Sequence, residues 1–336
     1  MRNNMKLGIL GYFGFGNYGD ELFHQVWNNE FSDAEIITFE QVTGIPKCMH
    51  SEPSDRENFV DNIDALLIGG GDLIRPQGKI NYWYKELLSK PVFLYGIGVA
   101  TWLGHEKKVI EEIVTFLKDD AVKYIGVRDI ESYNWIAKQA PSVVQKLYVT
   151  PDIAFSMERV GVEKTDSKRV GIITRHQKNY GTDRIQQMRK IVDIYTECGY
   201  EVVEILASTG PEKEWDIEGS KSWDLGVPVL TFDNDEDVTK AIAECTLLYS
   251  MKFHGCVVGL AHHVPTISLL KTDKFVNLYK YLRLDSWLIG GDKTKIKYEN
   301  PQNKRPQLWS NIDTLIGFSR SSLLSLKLQI EAEVNK

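Results

Sequence analysis

Leu7-Gly8-Ile9-Leu10-Gly11-Tyr12-Phe13-Gly14-Phe15-Gly16-Asn17-Tyr18-Gly19-Asp20-Glu21 decides the fold. Its opening run, Leu7 to Tyr12, is the short apolar stretch a buried strand needs, and the glycines let the chain turn into a helix predicted over Leu22 to Phe31. Glycines at a strand-to-helix turn deliver backbone N–H groups at a helix N-terminus, an anion site suited to phosphate or pyrophosphate. The spacing, with Asn17, Asp20 and Glu21 interposed, departs from the G-x-G-x-x-G nucleotide fingerprint. Asp20 has two readings, a ligand-facing residue or a carboxylate that caps the helix start and suits its dipole.

Working outward, short apolar runs alternate with amphipathic ones. Glu35 to Phe39, Ala65 to Ile68, Val92 to Tyr95, Tyr124 to Val127 and Leu147 to Val149 read as further buried strands. Val109, Ile110, Ile113, Val114 and Leu117 share one helical face. Strands apolar on both sides, alternating with helices, predict a parallel sheet covered on both faces. After a charged stretch from Glu158 to Lys168, read as a linker, the pattern repeats with strands at Arg169 to Thr174, Glu201 to Leu206, Val227 to Leu230, Thr246 to Tyr249 and Pro265 to Leu270. A tail from Ile316 to Val334, with Leu323, Leu324, Leu326, Leu328 and Ile330, predicts a final helix packed on a domain surface. The expectation is an α/β protein of two Rossmann-like domains facing each other across a cleft, residues 1–157 and 169–310, followed by a C-terminal helix over 311–336.

The bulk numbers agree. A chain of 336 residues exceeds what one core usually supports. A net charge of −6 argues against nucleic-acid binding, so an anionic ligand needs a local basic cluster. No run of apolar residues is long enough to span a membrane and the start does not read as a signal peptide, which predicts a cytoplasmic protein. Cys48, Cys198, Cys245 and Cys256 form no C-x-x-C pair and are read as reduced packing residues.

Two more strands run into glycine, at Gly69-Gly70-Gly71-Asp72 and Gly96-Ile97-Gly98. In open parallel sheets the carboxyl ends of the strands form the ligand crevice, so three glycine loops there predict a ligand lying against backbone.

Taken in order, Gly14-x-Gly16-Asn17-x-Gly19-Asp20-Glu21, Gly69-Gly70-Gly71-Asp72, Gly96-Ile97-Gly98, Val127-Arg128-Asp129 with Ser132, Pro151-Asp152-Ile153-Ala154-Phe155 and Ser250-Met251-Lys252-Phe253-His254-Gly255 resemble the polysaccharide pyruvyl transferase family, from about residue 7 to 271. The resemblance implies a GT-B-like fold, phosphoenolpyruvate as donor, and a sugar hydroxyl pair as acceptor, often on a lipid pyrophosphate or nascent polysaccharide. It places the donor in the second domain and the acceptor in the first. One departure is Lys252-Phe253-His254, where the family commonly has Arg-Leu-His. Lysine lacks the two-pronged contact of a guanidinium but still binds phosphate as a point charge.

Ketal formation needs a proton on the methylene, attack by a hydroxyl, loss of phosphate and closure by a second hydroxyl. His254 is the expected general acid or base, beside a buried helix whose N-terminus would face the donor. Arg175, Lys252 and Phe253 are expected on the donor, with His176 a weaker candidate. The acceptor or its phosphate is assigned to Gly16, Asn17, Gly19, Asp20, Glu21, Gly70, Gly71, Asp72, Gly98 and Arg128. Arg128 is alternatively a local ion pair with Asp129. Asp152 is either a base on the acceptor or a structural residue. His262 and His263 read as structural. No metal or cofactor is expected beyond phosphoenolpyruvate as co-substrate, since Asp20, Glu21 and Asp72 lack a ligand spacing. The expected partners are phosphoenolpyruvate and a sugar acceptor, a lipid-linked oligosaccharide at the inner face of the cytoplasmic membrane. Two rivals remain open: a nucleotide-sugar glycosyltransferase of the same fold, and a non-catalytic member.

Overall fold

The computed structural model describes residues 5–78, 82–162, 168–176, 182–300, 303 and 305–336. Residues 163–167 of the expected linker lie outside the described residues. The chain forms two compact units, one of Met1–Phe13, Phe23–Ser156 and Gly317–Lys336, the other of Gly14–Leu22 and Met157–Ile316.

In the first unit the strands are β1 (Lys6–Leu10), β2 (Glu35–Thr38), β3 (Ala65–Ile68), β4 (Gly71–Ile74), β5 (Val92–Val99), β6 (Val122–Val127) and β7 (Leu147–Val149). They lie in the order β2-β1-β3-β5-β6-β7, with β4 also on β5, and every pairing is parallel. The helices are α1 (Tyr18–Glu30), α2 (Phe39–Thr43), α3 (Pro53–Asp61), α4 (Lys107–Lys118) and α5 (Ile130–Gln139). Every residue of β3 and β5 is buried, as a sheet covered on both faces requires. Ile113, Phe116 and Leu117 of α4 and Phe59 and Val60 of α3 supply part of that cover, packing with Leu66, Ile68, Leu94 and Ile125. Asp129 starts α5 by accepting the Ser132 N–H at 2.7 Å, a capping role that fits its position directly after β6.

The glycines end one strand where the sequence pattern predicts, β3 at Ile68, but not the other. β3 and β4 both pair with β5, so the run resumes after Gly69-Gly70, and β5 continues through Gly96 and Gly98 to Val99. Glycine inside a strand marks a close approach of neighbouring groups, which Ile153 supplies at Gly96 and the ion cluster described below at Gly98.

The second unit has β8 (Arg169–Ile173), β9 (Glu201–Ile205), β10 (Val229–Leu230), β11 (Leu247–Ser250) and β12 (Thr266–Ser268), with α6 (Thr182–Glu197), α7 (Lys213–Trp223), α8 (Asp235–Ala243), α9 (Phe253–Ala261) and α10 (Asp273–Tyr281). The order β10-β9-β8-β11-β12 is wholly parallel and winds outward in both directions from β8. Its topological switch point, where such sheets bind ligands, lies between the carboxyl ends of β8 and β11. The last helix, α11 (Pro306–Val334), starts ahead of the expected boundary at residue 311, with Pro306 at the first helical position, where a missing N–H is tolerated. Its residues up to Ile316 group with the second unit and those from Gly317 with the first. Cys48, Cys245 and Cys256 are buried free thiols, but Cys198 is exposed in the turn after α6 and is not a core residue. Among the described residues no helix is long and apolar enough to cross a membrane.

Gly14–Leu22 belongs to the second unit through a set of specific bonds. Asn17 bridges Ser208, the Thr209 N–H donates to the Gly16 carbonyl at 2.9 Å, the Glu212 N–H donates to the Phe15 carbonyl at 3.0 Å, and the buried Tyr18 and Thr239 hydroxyls bond at 2.7 Å. Thr209 also donates its hydroxyl to Asp235 at 3.0 Å. Burial pushes the Asp235 carboxyl up to about 6, assisted by the negative charge of Glu21 and opposed by the Thr209 hydroxyl. A carboxyl raised on folding favours the native state at low pH and loses that advantage as pH climbs through its folded value. Asp235→Asn, which keeps an acceptor for Thr209, is therefore expected to be more stable than the parent by about 1–2 kcal/mol at pH 8, with the gain vanishing below about pH 4. Urea unfolding of both proteins across that range checks it, and a pH-independent difference contradicts it.

Candidate functional site

The carboxyl ends of β8 and β11 open into a cavity of about 330 Å³ in the second unit. Arg175 follows β8 after Thr174, and Met251, Lys252, Phe253 and His254 follow β11. Asn17, Tyr18 and Gly19 at the start of α1, and Lys274 and Phe275 in the first turn of α10, complete much of the wall. Three helices, α1, α9 and α10, thus present their N-termini to one space. Each N-terminus carries about half a positive charge on unsatisfied N–H groups, and together with Arg175, Lys252 and Lys274 they make the cavity a trap for a small multiply charged anion.

Each cation is held differently. Lys252 is the N-cap residue of α9, and its Nζ donates to the Ser208 hydroxyl at 2.6 Å and to the Asp216 carboxylate. Asp216 also accepts the Ser208 N–H at 3.0 Å. An ammonium has three donors, so this pair orients Lys252 and leaves one N–H for a ligand. Lys274 Nζ stands 5.4 Å from the centroid of the Phe253 ring, and that ring meets His254 and Phe275 edge-on at 5.3 and 5.4 Å. Below the site, Glu204 accepts the Thr174 and Ser220 hydroxyls at 2.6 and 2.7 Å, bracing the end of β8 against α7. Burial raises the Glu204 carboxyl above the ordinary range.

His254 packs on Gly19 so tightly that a Cβ there would lie 1.6 Å from its Nδ1. The absent side chain of Gly19 is what lets the imidazole reach the start of α1. His176 also lines the cavity, half-buried against Gly219, and its Nδ1 has no hydrogen-bond partner among the described residues.

Residues 17–270 match the polysaccharide pyruvyl transferase family. The chain belongs to that family. Its acceptors are accordingly polysaccharide sugars. The family-matching segments thus include the Asn17-to-Gly19 and Lys252-to-His254 stretches that meet in the cavity. A search of curated proteins finds no significant match. Among solved structures, the UDP-GlcNAc 2-epimerase from Neisseria meningitidis, bound to UDP-GlcNAc, is similar with a TM-score of 0.55 at 10% identity, over 97% of this chain and 99% of the other. The UDP-N-acetylglucosamine 2-epimerase from Rickettsia bellii is similar with a TM-score of 0.54 at 12% identity, over 98% of each chain. At such identity the likeness establishes the fold, which is of the GT-B class.

Of the residues singled out in the sequence, Arg175, Lys252, Phe253, His254, Asn17 and Gly19 come together in this cavity. The glycine loop itself does not offer all its N–H groups to a ligand. Glu21 accepts those of Gly14 and Gly16 at 2.8 and 3.0 Å, so it braces the loop, and Asp20 sits in the first turn of α1 with its N–H on the Asn17 carbonyl. Trp215, Asp216, Glu212 and Lys274 were not anticipated. Lys274 was within reach of the rule that ligands gather beyond strand ends, whereas nothing in the spacing around α7 marks Trp215 or Asp216. His262 and His263 are structural as expected. His262 bonds the Val258 carbonyl and the Val160 N–H, and His263 stacks on Trp309 and bonds Asp313 at 2.9 Å.

The remaining candidates belong to the first unit. Arg128 is buried, its Nη2 bonded to Asp72, with Asp129 at 3.8 Å and Asp152 at 3.9 Å. A guanidinium facing three carboxylates has its charge neutralised, so the geometry supports the ion-pair reading of Arg128, with Asp72 as the main partner in place of Asp129. Gly98 is explained by the same cluster, since a Cβ there would lie 2.8 Å from both Arg128 and Asp72. Gly70 packs under Phe23 and Ile153, and Gly71 opens β4. Asp152 is buried and caps its own loop by accepting the Ala154 N–H at 3.0 Å. Among the described residues no group of three His, Cys, Asp or Glu side chains is placed to hold a metal.

Two outcomes follow from this geometry. Arg128→Leu strands buried carboxylates and is expected to lower stability by about 3–5 kcal/mol in urea titration, whereas a merely ligand-facing arginine would leave the free protein unaffected. Gly19→Ala is expected to fold, with unchanged far-UV circular dichroism, and to lose turnover by about 100-fold as its methyl displaces His254. Full activity in that variant would contradict the assignment of the histidine.

Proposed function

We propose that the cavity of the second unit binds phosphoenolpyruvate and that the protein transfers its pyruvyl group to two hydroxyls of one sugar, forming a cyclic ketal on a bacterial surface polysaccharide or its lipid-linked precursor. The observation that carries this reading is the convergence of three helix N-termini with Arg175, Lys252 and Lys274 beside His254, a set suited to a phosphate and a carboxylate on the same small molecule.

In this scheme His254 donates a proton to the methylene carbon, leaving positive charge on the central carbon. The first sugar hydroxyl adds there and returns its proton to His254. Phosphate then departs toward the cations and helix termini, which stabilise the negative charge it carries away. The second hydroxyl closes the ring and loses its proton to the phosphate. Lys252, oriented by Asp216 and Ser208, supplies a point charge where a bidentate arginine is common in the family. Phosphoenolpyruvate is a cytoplasmic metabolite, so the reaction is placed in the cytoplasm, with a lipid-linked acceptor reached at the inner membrane face.

Incubation with phosphoenolpyruvate and lipid-linked oligosaccharides, read by mass spectrometry, is expected to add the mass of pyruvic acid less one water and to release phosphate. Addition of a hexose from a nucleotide sugar instead would replace this reading with glycosyl transfer. His254→Ala is expected to reduce turnover by at least about 100-fold while phosphoenolpyruvate still raises the melting temperature. The absence of any thermal shift with the parent protein would point to a member that has lost the donor.

A further inference from the structure

Trp215 is the most exposed tryptophan of the described chain at 60%, and it lines the same cavity as the cations. An indole left this open costs favourable burial unless something covers it. Phosphoenolpyruvate is a poor cover, because a small polyanion prefers cations and N–H dipoles to an apolar ring. Glu212 lies three residues earlier at the start of α7, hence on the same helix face, and it too lines the cavity. A carboxylate repels phosphoenolpyruvate. It is, however, a good acceptor for the hydroxyls of a neutral polyol.

The cavity therefore carries two chemistries. One is cationic, from Arg175, Lys252, Lys274 and three helix termini; the other is aromatic and acidic, from Trp215 and Glu212. A flat apolar ring beside a carboxylate matches a pyranose, whose axial C–H groups form an apolar face and whose edge carries hydroxyl donors. The volume of about 330 Å³ is also generous for a three-carbon donor alone. The backbone of Glu212 is fixed by its bond to Phe15, so the start of α7 is pre-positioned before any ligand arrives.

We infer that Trp215 is the stacking platform for the acceptor sugar, with Glu212 accepting a sugar hydroxyl, so that the acceptor ring enters the second unit's cavity beside the donor. This assignment rests on the pyruvyl-transfer reading above, and it moves the acceptor's reacting ring away from the first unit, where the family resemblance had put it.

The test uses the full chain with phosphoenolpyruvate and two probes, methyl β-D-galactopyranoside and methyl N-acetyl-β-D-glucosaminide. Trp215→Ala is expected to raise the acceptor KM by about tenfold while leaving the phosphoenolpyruvate KM and its thermal shift unchanged, and Trp215→Phe is expected to recover most of the loss. An unchanged acceptor KM in Trp215→Ala overturns the platform. Independently of turnover, the indole N–H signal of Trp215, assigned by its disappearance in Trp215→Phe, is expected to move on titration with either glycoside. A signal that ignores both glycosides in the presence of phosphoenolpyruvate overturns it as well. A glycoside-sensitive indole in a protein that phosphoenolpyruvate neither stabilises nor serves would keep the platform and remove the donor.

Discussion

A single carboxylate holds the arrangement in place. Glu21 gathers the N–H groups of Gly14 and Gly16, and this fixes the loop whose next residues dock on Ser208 and Thr209 and whose Gly19 backs the ring of His254. That brace lowers the entropic cost of ordering the loop ahead of α1 and adds to the bonds that hold Gly16 and Tyr18 to the second unit. The ring of His254 is backed by a glycine about 235 residues earlier in the chain.

The two units use their cations in opposite ways. Arg128 faces three carboxylates and links the start of β4, the end of β6 and the loop after β7. Lys252 has one acid and one hydroxyl and keeps a donor in hand. An ion pair with a surplus of negative charge repels an anionic ligand, whereas a partly compensated lysine at a helix N-terminus still attracts one.

Most of the architecture was legible from periodicity. All eleven strands expected from apolar runs occur, within three residues at each end apart from the longer β5, because parallel strands buried on both faces leave continuous apolar stretches that few other structures produce. β4 was not legible, since glycines that interrupt a strand look the same in sequence as glycines that end one. The site was legible where residues follow strands directly, as Arg175, Lys252 and His254 do. Trp215 and Asp216 come from the first turn of a polar helix, and only the fold brings that turn to the crevice. Arg128 and Glu21 show the converse: both lie in motifs that read as ligand-binding, yet both are consumed by neighbours that no spacing rule reveals.

Neither unit is a continuous piece of chain. The second requires residues 14–22, which precede most of the first, and the first is finished only by the far half of α11, which follows the second. Synthesis therefore cannot complete one lobe before beginning the other, and a gene fragment cut at the obvious boundary near residue 157 would encode a lobe whose histidine has lost its backing. Shuffling of halves, a common route to new specificities among modular enzymes, is closed to a chain wired in this way.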